Sequence, residues 1–112
     1  MKKISIIVPF MNEELNIIPL TEKLGEYCLA NTFCTYEILF VDDGSTDNSF
    51  DLLSEAVHRG YSYKLIKLAK NFGAHAALRA GILNATGDYF TFVYADLQDP
   101  LELIEHIVQT EG

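Results

Sequence analysis

Two acidic clusters in this 112-residue chain stand directly behind apolar, strand-like runs: Asp42-Asp43-Gly44-Ser45-Thr46-Asp47 after Glu37–Val41, and Asp96-Leu97-Gln98-Asp99-Pro100 after Asp88–Tyr94. In an open α/β sheet the carboxyl ends of parallel strands face one crevice, so carboxylates about fifty residues apart in sequence can converge there. Gathered carboxylates can hold a hard divalent cation and, through it, a diphosphate. Lys70-Asn71-Phe72-Gly73-Ala74-His75 adds a third candidate segment. The Lys70 ammonium and the free amides of a following helix would suit phosphates, although the same residues could form an ordinary loop.

The elements that must position these groups emerge from the hydrophobic pattern. Ile4–Val8 is a β-branched run suited to a strand covered on both faces, and 36–41, 63–68 and 88–94 read as further strands. Between them, 13–29 carries Leu15, Ile18, Leu24 and Leu29 near helical spacing, with Asn12 as N-cap and Glu13-Glu14 at the positive end of the helix dipole. Ser45 or Thr46 is expected to cap a helix from Asp47 to His58, ended by Gly60. An alanine-rich helix over 74–85 and a helix from Pro100 to about Gln109 complete a βαβαβαβα order. That order implies an α/β fold: a mainly parallel sheet with right-handed crossovers and helices on both faces.

Composition excludes several classes. Eight Lys plus Arg against sixteen Asp plus Glu give a formal charge of −8. Such a chain has no electrostatic footprint for nucleic acid and no basic run to dock on an anionic membrane. No stretch approaches the roughly twenty apolar residues that span a bilayer. Met1-Lys2-Lys3 before an apolar run has the opening charge of a signal peptide, but the run is short and meets Pro9 and then Asn12-Glu13-Glu14, so a first strand in a cytoplasmic protein is expected. Cys28 and Cys34 fit neither a zinc spacing nor a disulfide framework and are expected as reduced, partly buried thiols.

Each motif also has a plainer explanation. Asp, Gly, Ser and Thr favour turns and helix caps, yet a cap needs one carboxylate, and two adjacent ones at a strand end repel each other. A cap before Pro100 accounts for Asp99 better than for Asp96. His75 lacks any HxH or HExxH partner and is expected to face solvent. The aromatic run Tyr89-Phe90-Phe92-Tyr94 is expected in the core of a doubly covered strand.

Taken together the segments resemble the family 2 glycosyltransferases of the GT-A (Rossmann-like) fold, in particular the branch akin to dolichyl-phosphate mannose synthase and bacterial polyprenyl-phosphate glycosyltransferases. The matching residues are Ile6–Glu14, Val41–Asp47, Lys70–Gly73 with Ala77–Gly81, and Ala95–Pro100, in the family's order and across nearly the whole chain. The resemblance implies that Pro9, Glu13 and Asp43 line the pocket for the donor's base and ribose, with Met11 where an aromatic is common. It implies that Asp96, helped by Gln98, holds the Mg²⁺ or Mn²⁺ bridging the donor phosphates. Tyr94 stands where the family carries the first Asp of an Asp-x-Asp metal motif, and joins Lys70 among the nucleotide-binding candidates.

By the same resemblance, residues 1–112 are expected to be the nucleotide-sugar-binding half of a catalytic domain. The acceptor half and the catalytic base are then expected beyond Gly112. The implied substrates are a UDP- or GDP-linked sugar and a polyprenyl phosphate or glycan acceptor, the complete protein working at the cytoplasmic face of the membrane by an inverting displacement. An unfinished parallel sheet predicts self-association through a bare edge. The alternatives are a catalytically inactive nucleotide-binding protein and a phosphorylatable receiver domain of the flavodoxin-like type. Against the receiver, the acidic pair comes after the second strand instead of the first, and no fifth strand with a terminal Lys remains.

Overall fold

The computed structural model describes residues 1–95. Four strands and three helices alternate: β1 Lys3–Phe10, α1 Ile17–Ala30, β2 Thr35–Asp42, α2 Ser49–Glu55, β3 Ser62–Lys67, α3 Ala74–Asn84 and β4 Tyr89–Phe92. All pairings are parallel and the spatial order is β3-β2-β1-β4. The chain runs outward from β1 to β3, then crosses back beyond β1 to place β4, so the direction of winding reverses between β1 and β4. A receiver of the flavodoxin type has order 2-1-3-4-5, which this sheet does not adopt. The expected helix from Pro100 to about Gln109 lies outside the described residues.

The two faces are covered by different helices, as right-handed crossovers in opposite directions require. On one face Ile17, Leu20 and Leu24 of α1 and Leu53 of α2 pack on Ile4, Ile6, Val8, Ile38 and Phe40. On the other, Ala77 of α3 packs on Ile7, Leu39 and Val41. Small residues bring α3 close: a Cβ at Gly81 would collide with Ile7 Cγ2. Both faces of β1 and β2 are thus buried, and their sequences read as continuous apolar runs for that reason.

Several local expectations are corrected. Leu15 is 88% exposed, since α1 begins only at Ile17, and Ile18 and Leu29, inside the helix, are exposed off its buried stripe. Its buried stripe is instead Ile17, Leu20, Thr21, Leu24 and Cys28, a 3.6-residue period shifted around the helix. Asn12 is not the cap of α1; Asn16 holds that position, and Asn12 takes a left-handed φ of 55°. The cap position of α2 is Asn48, without a side-chain cap bond, not Ser45 or Thr46. That helix stops at Glu55, well before Gly60, and the His58 ring turns back to the Leu53 carbonyl at 3.0 Å. The aromatic run around β4 is not core: Phe90 is 51% exposed, and Phe92 and Tyr94 are also exposed. Among the described residues β4 is an edge strand, so nothing there covers its outer side.

Candidate nucleotide-binding site

The carboxyl end of β1 and the residues just past β2 and β4 meet at the point where the winding reverses. Phe10 pairs with Asp42, and Asp42 with Lys67, so the three strands end at one level. The Asp43 amide donates to the Phe10 carbonyl at 2.9 Å and the Val93 amide to the Ile7 carbonyl at 3.0 Å, carrying the ladders into the loops. A cavity of about 170 Å³ opens there, walled by Pro9, Phe10 and Met11 at the end of β1, Asp43 after β2, Ala74 and Ala77 of α3, and Tyr94 after β4. Ligands of open α/β sheets bind at such a switch point. A larger hollow of about 610 Å³ lies at the other pole around Cys28, Cys34 and Tyr61, but no carboxylate among the described residues lines it.

Four of the sequence candidates, Pro9, Met11, Asp43 and Tyr94, come together in the cavity wall. Asp43 is 8% exposed, and its Oδ1 accepts the Phe72 amide at 2.9 Å. Glu13 lies outside the wall: its carboxylate accepts the Asn16 side-chain amide at 2.6 Å, and its own amide donates to Ser49 Oγ at 2.8 Å. Lys70 also lies outside it, exposed, with its ammonium 5.4 Å from the Phe72 ring centroid. Asp96 and Gln98 lie outside the described residues. Among the described residues no group of three or more His, Cys, Asp or Glu side chains could hold a metal ion.

The loops around the cavity are fixed by polar contacts that the motifs did not announce. Asp42 is fully buried; its Oδ1 accepts the Ser45 amide at 2.8 Å, while its Oδ2 has no partner among the described residues. Burial raises Asp47, but hydrogen bonds from the Ser49 hydroxyl and amide and from the Glu14 amide outweigh it and hold the carboxyl below its ordinary value. Gly44 has φ +83°, and a Cβ there would lie 2.5 Å from the Asn71 nitrogen, so the β2–α2 turn and the β3–α3 loop touch only because this residue is glycine. The Asn71 side-chain amide donates to Met11 Sδ at 3.0 Å. Asn71 and Ala74 fell within the candidate segment 70–75 and Ala77 within the family-matching run, but none was singled out as a site residue; the signal for the alanines was their small size at the start of a helix that approaches a sheet.

At the opposite pole Cys28 and Cys34 are free and buried, as expected, and burial pushes the Cys28 thiol up to about 12. No helix among the described residues is long and apolar enough to cross a membrane.

A parallel sheet wound in both directions, with acidic and apolar residues closing a cavity at the reversal, defines a doubly wound α/β domain. The family profile described as Glycosyl transferase family 2 matches residues 5–110, and the chain belongs to that family. It is 40% identical over 108 residues to undecaprenyl-phosphate 4-deoxy-4-formamido-L-arabinose transferase of Yersinia enterocolitica, covering 96% of this chain and 33% of that protein. The enzyme of the same name from Serratia proteamaculans is 38% identical over 109 residues, with the same coverage. Among solved structures, S. aureus TarS 1-349 superposes with a TM-score of 0.77 at 25% identity, covering 96% of this chain and 31% of that one. The chain spans about a third of the length of the curated relatives it matches.

Proposed function

We propose that this chain is the donor-binding part of an inverting glycosyltransferase that moves a sugar from a UDP- or GDP-linked donor to a polyprenyl phosphate or glycan acceptor. The observation that carries the reading is the cavity at the β1/β4 reversal, which joins Pro9, Met11, Asp43 and Tyr94 in a family 2 chain. At about 170 Å³ it suits a planar, base-sized group, smaller than the roughly 300–1,000 Å³ of whole small-molecule sites. Pro9 and Met11 would pack on the base, and Asp43 would accept a hydrogen bond from it or from the ribose. Glu13 and Lys70 stand farther out, where the ribose and phosphates would pass.

Bond breaking between the anomeric carbon and phosphate leaves new negative charge on the diphosphate, which Mg²⁺ or Mn²⁺ bound through Asp96 and Gln98 would stabilise. Tyr94, on the cavity side of that motif, would present a phenol toward the phosphates. Deprotonation of the acceptor needs a carboxylate base that we place beyond this chain. The names of the relatives favour a lipid-linked phosphate as acceptor, and hence work at the cytoplasmic face of a membrane. We also propose that the β3 or β4 edge, each unpaired on its outer side among the described residues, recruits a second copy of the chain.

Calorimetry of the chain with UDP and with GDP, each with and without Mn²⁺, tests the reading. Binding of one nucleotide, tightened by Mn²⁺ in the parent and not in Asp96→Asn, is expected. A folded chain that binds neither nucleotide under any of these conditions would overturn it.

A further inference from the structure

Among the described residues Asn12 is the sole non-glycine with positive φ, at 55°. A left-handed backbone is unfavourable for most residues and least so for Asn, whose short amide can bond locally. Here the amide does not bond locally. Asn12 Oδ1 accepts the Thr46 amide at 2.8 Å, the Asp47 amide at 3.3 Å and the Thr46 hydroxyl at 3.4 Å, and the Asn12 amide donates to Ser45 Oγ at 2.9 Å. All three partners lie in the loop after β2. Three more bonds continue the seam: Glu13 N–H to Ser49 Oγ, Glu14 N–H to Asp47 Oδ2, and Asn48 N–H to Glu14 Oε2.

We infer that Asn12 is a positioning residue: by stitching the β1–α1 loop to the β2–α2 loop it sets the distance between the Met11 and Asp43 walls of the cavity, and so the affinity for a nucleotide's base. Met11 is its immediate neighbour in the chain, and Asp43 stands two residues before Ser45, its first partner. Both wall residues are further tied to the β3–α3 loop through side chains, Met11 by Asn71 and Asp43 by Phe72. Those contacts hold the walls to a third loop, and the bond from the Asp43 amide to the Phe10 carbonyl joins the strand ends, whereas the Asn12 seam holds the first loop directly to the second beyond them. The exposure of Asn12 argues against a packing role. This inference deepens the nucleotide-binding reading and rests on it.

The test compares Asn12→Gly, which keeps the left-handed backbone and removes the acceptor, with Asn12→Asp, which keeps an acceptor. In Asn12→Gly the Thr46 and Asp47 amides should exchange with solvent faster while amides of β1 and β2 are unchanged, and the Met11 methyl and Asp43 amide resonances should move. UDP or GDP, whichever the parent binds, should bind about three- to tenfold more weakly, the effect of losing a hydrogen bond or two. Asn12→Asp should restore slow exchange and most of the affinity, a rescue that a general loss of stability would not give. Parent-like resonances at Met11 and Asp43 in Asn12→Gly, or weak binding that Asn12→Asp fails to rescue, overturn the inference. Should the parent bind neither nucleotide, the functional reading fails by itself, and the resonances still decide whether Asn12 sets the cavity walls.

Discussion

The carboxylates that β2 carries toward the two poles of the sheet are treated in opposite ways. At the amino-terminal pole Glu37 is 3% exposed and saturated: it accepts the Ser5 hydroxyl at 2.7 Å, the Thr86 amide at 3.0 Å and the Thr86 hydroxyl, with Lys64 at 3.3 Å and Lys3 at 3.9 Å. Burial alone would raise its carboxyl, but those hydrogen bonds outweigh it and bring it down to about 2. At the carboxyl-terminal pole Asp42 and Asp43 each receive one donor among the described residues, and Asp42 Oδ2 receives none of them. A buried carboxylate with every lone pair used serves the fold, whereas one with acceptor capacity to spare can serve a ligand. Unequal saturation, more than acidity, separates Glu37 at the structural end of β2 from Asp43 in the wall of the candidate site.

The largest effect that would test this contrast is on stability. Glu37→Ala should destabilise the chain by about 2–4 kcal/mol, since it strands the buried Ser5 hydroxyl and the Thr86 amide, while leaving nucleotide affinity per folded molecule unchanged. Urea unfolding with m unchanged measures it, and a loss below about 1 kcal/mol would erase the structural assignment. The same residue predicts an acid limb. Its carboxyl lies lower in the folded chain than the ordinary 4.5, so its contribution is fully present above pH 4.5 and fades as pH falls toward about 2. That contribution amounts to about 3 kcal/mol. Glu37→Gln should flatten the slope of stability in this window, and an unaltered slope would assign the acid limb to other carboxylates.

At the other pole the order of effects should invert. Asp43→Ala is expected to weaken nucleotide binding by about 1.5–3 kcal/mol, the range for losing a hydrogen bond involving a charged group, with a smaller loss of stability from the freed Phe72 amide. Calorimetry on the folded variant decides it. Unchanged affinity would remove Asp43 from the site and leave its bond to Phe72 as its whole role.

The contrast was only half legible in the sequence. The βαβ alternation and the parallel sheet were readable from continuous β-branched runs, because strands covered on both faces leave no other pattern, and acidic residues at strand ends pointed to the pole where the cavity opens. That pattern pointed to Asp43, and the resemblance to Tyr94; both line the cavity. The Glu37 network was not legible: a lone Glu at the start of an apolar strand looks like solvent-facing polarity until Ser5, Thr86 and Lys64 arrive from three other segments. Asn12 misled because an Asn before two Glu fits a helix cap, and only the neighbouring loop reveals a competing use for its amide. The exposed aromatics of β4 misled for a third reason, since whether a strand is central or at an edge is a property of the whole sheet.

The smallest expected effect concerns Lys70, which belongs to the site pole by sequence but not by contact. Its ammonium sits over the Phe72 ring at 5.4 Å, an exposed arrangement contributing about 0.5–1 kcal/mol at most. Lys70→Ala should therefore change stability by less than about 1 kcal/mol. If the side chain instead swings to a donor phosphate, it does so as a solvated point charge, and the gain is modest and screened by salt. The useful measurement is the difference in affinity between UDP and uridine, taken at low and at physiological ionic strength. In the parent that difference should narrow with salt, and in Lys70→Ala it should be smaller at low salt and nearly equal to the parent's at high salt. A difference that is the same in both proteins at every ionic strength would leave the phosphates to other groups and return Lys70 to its place over Phe72.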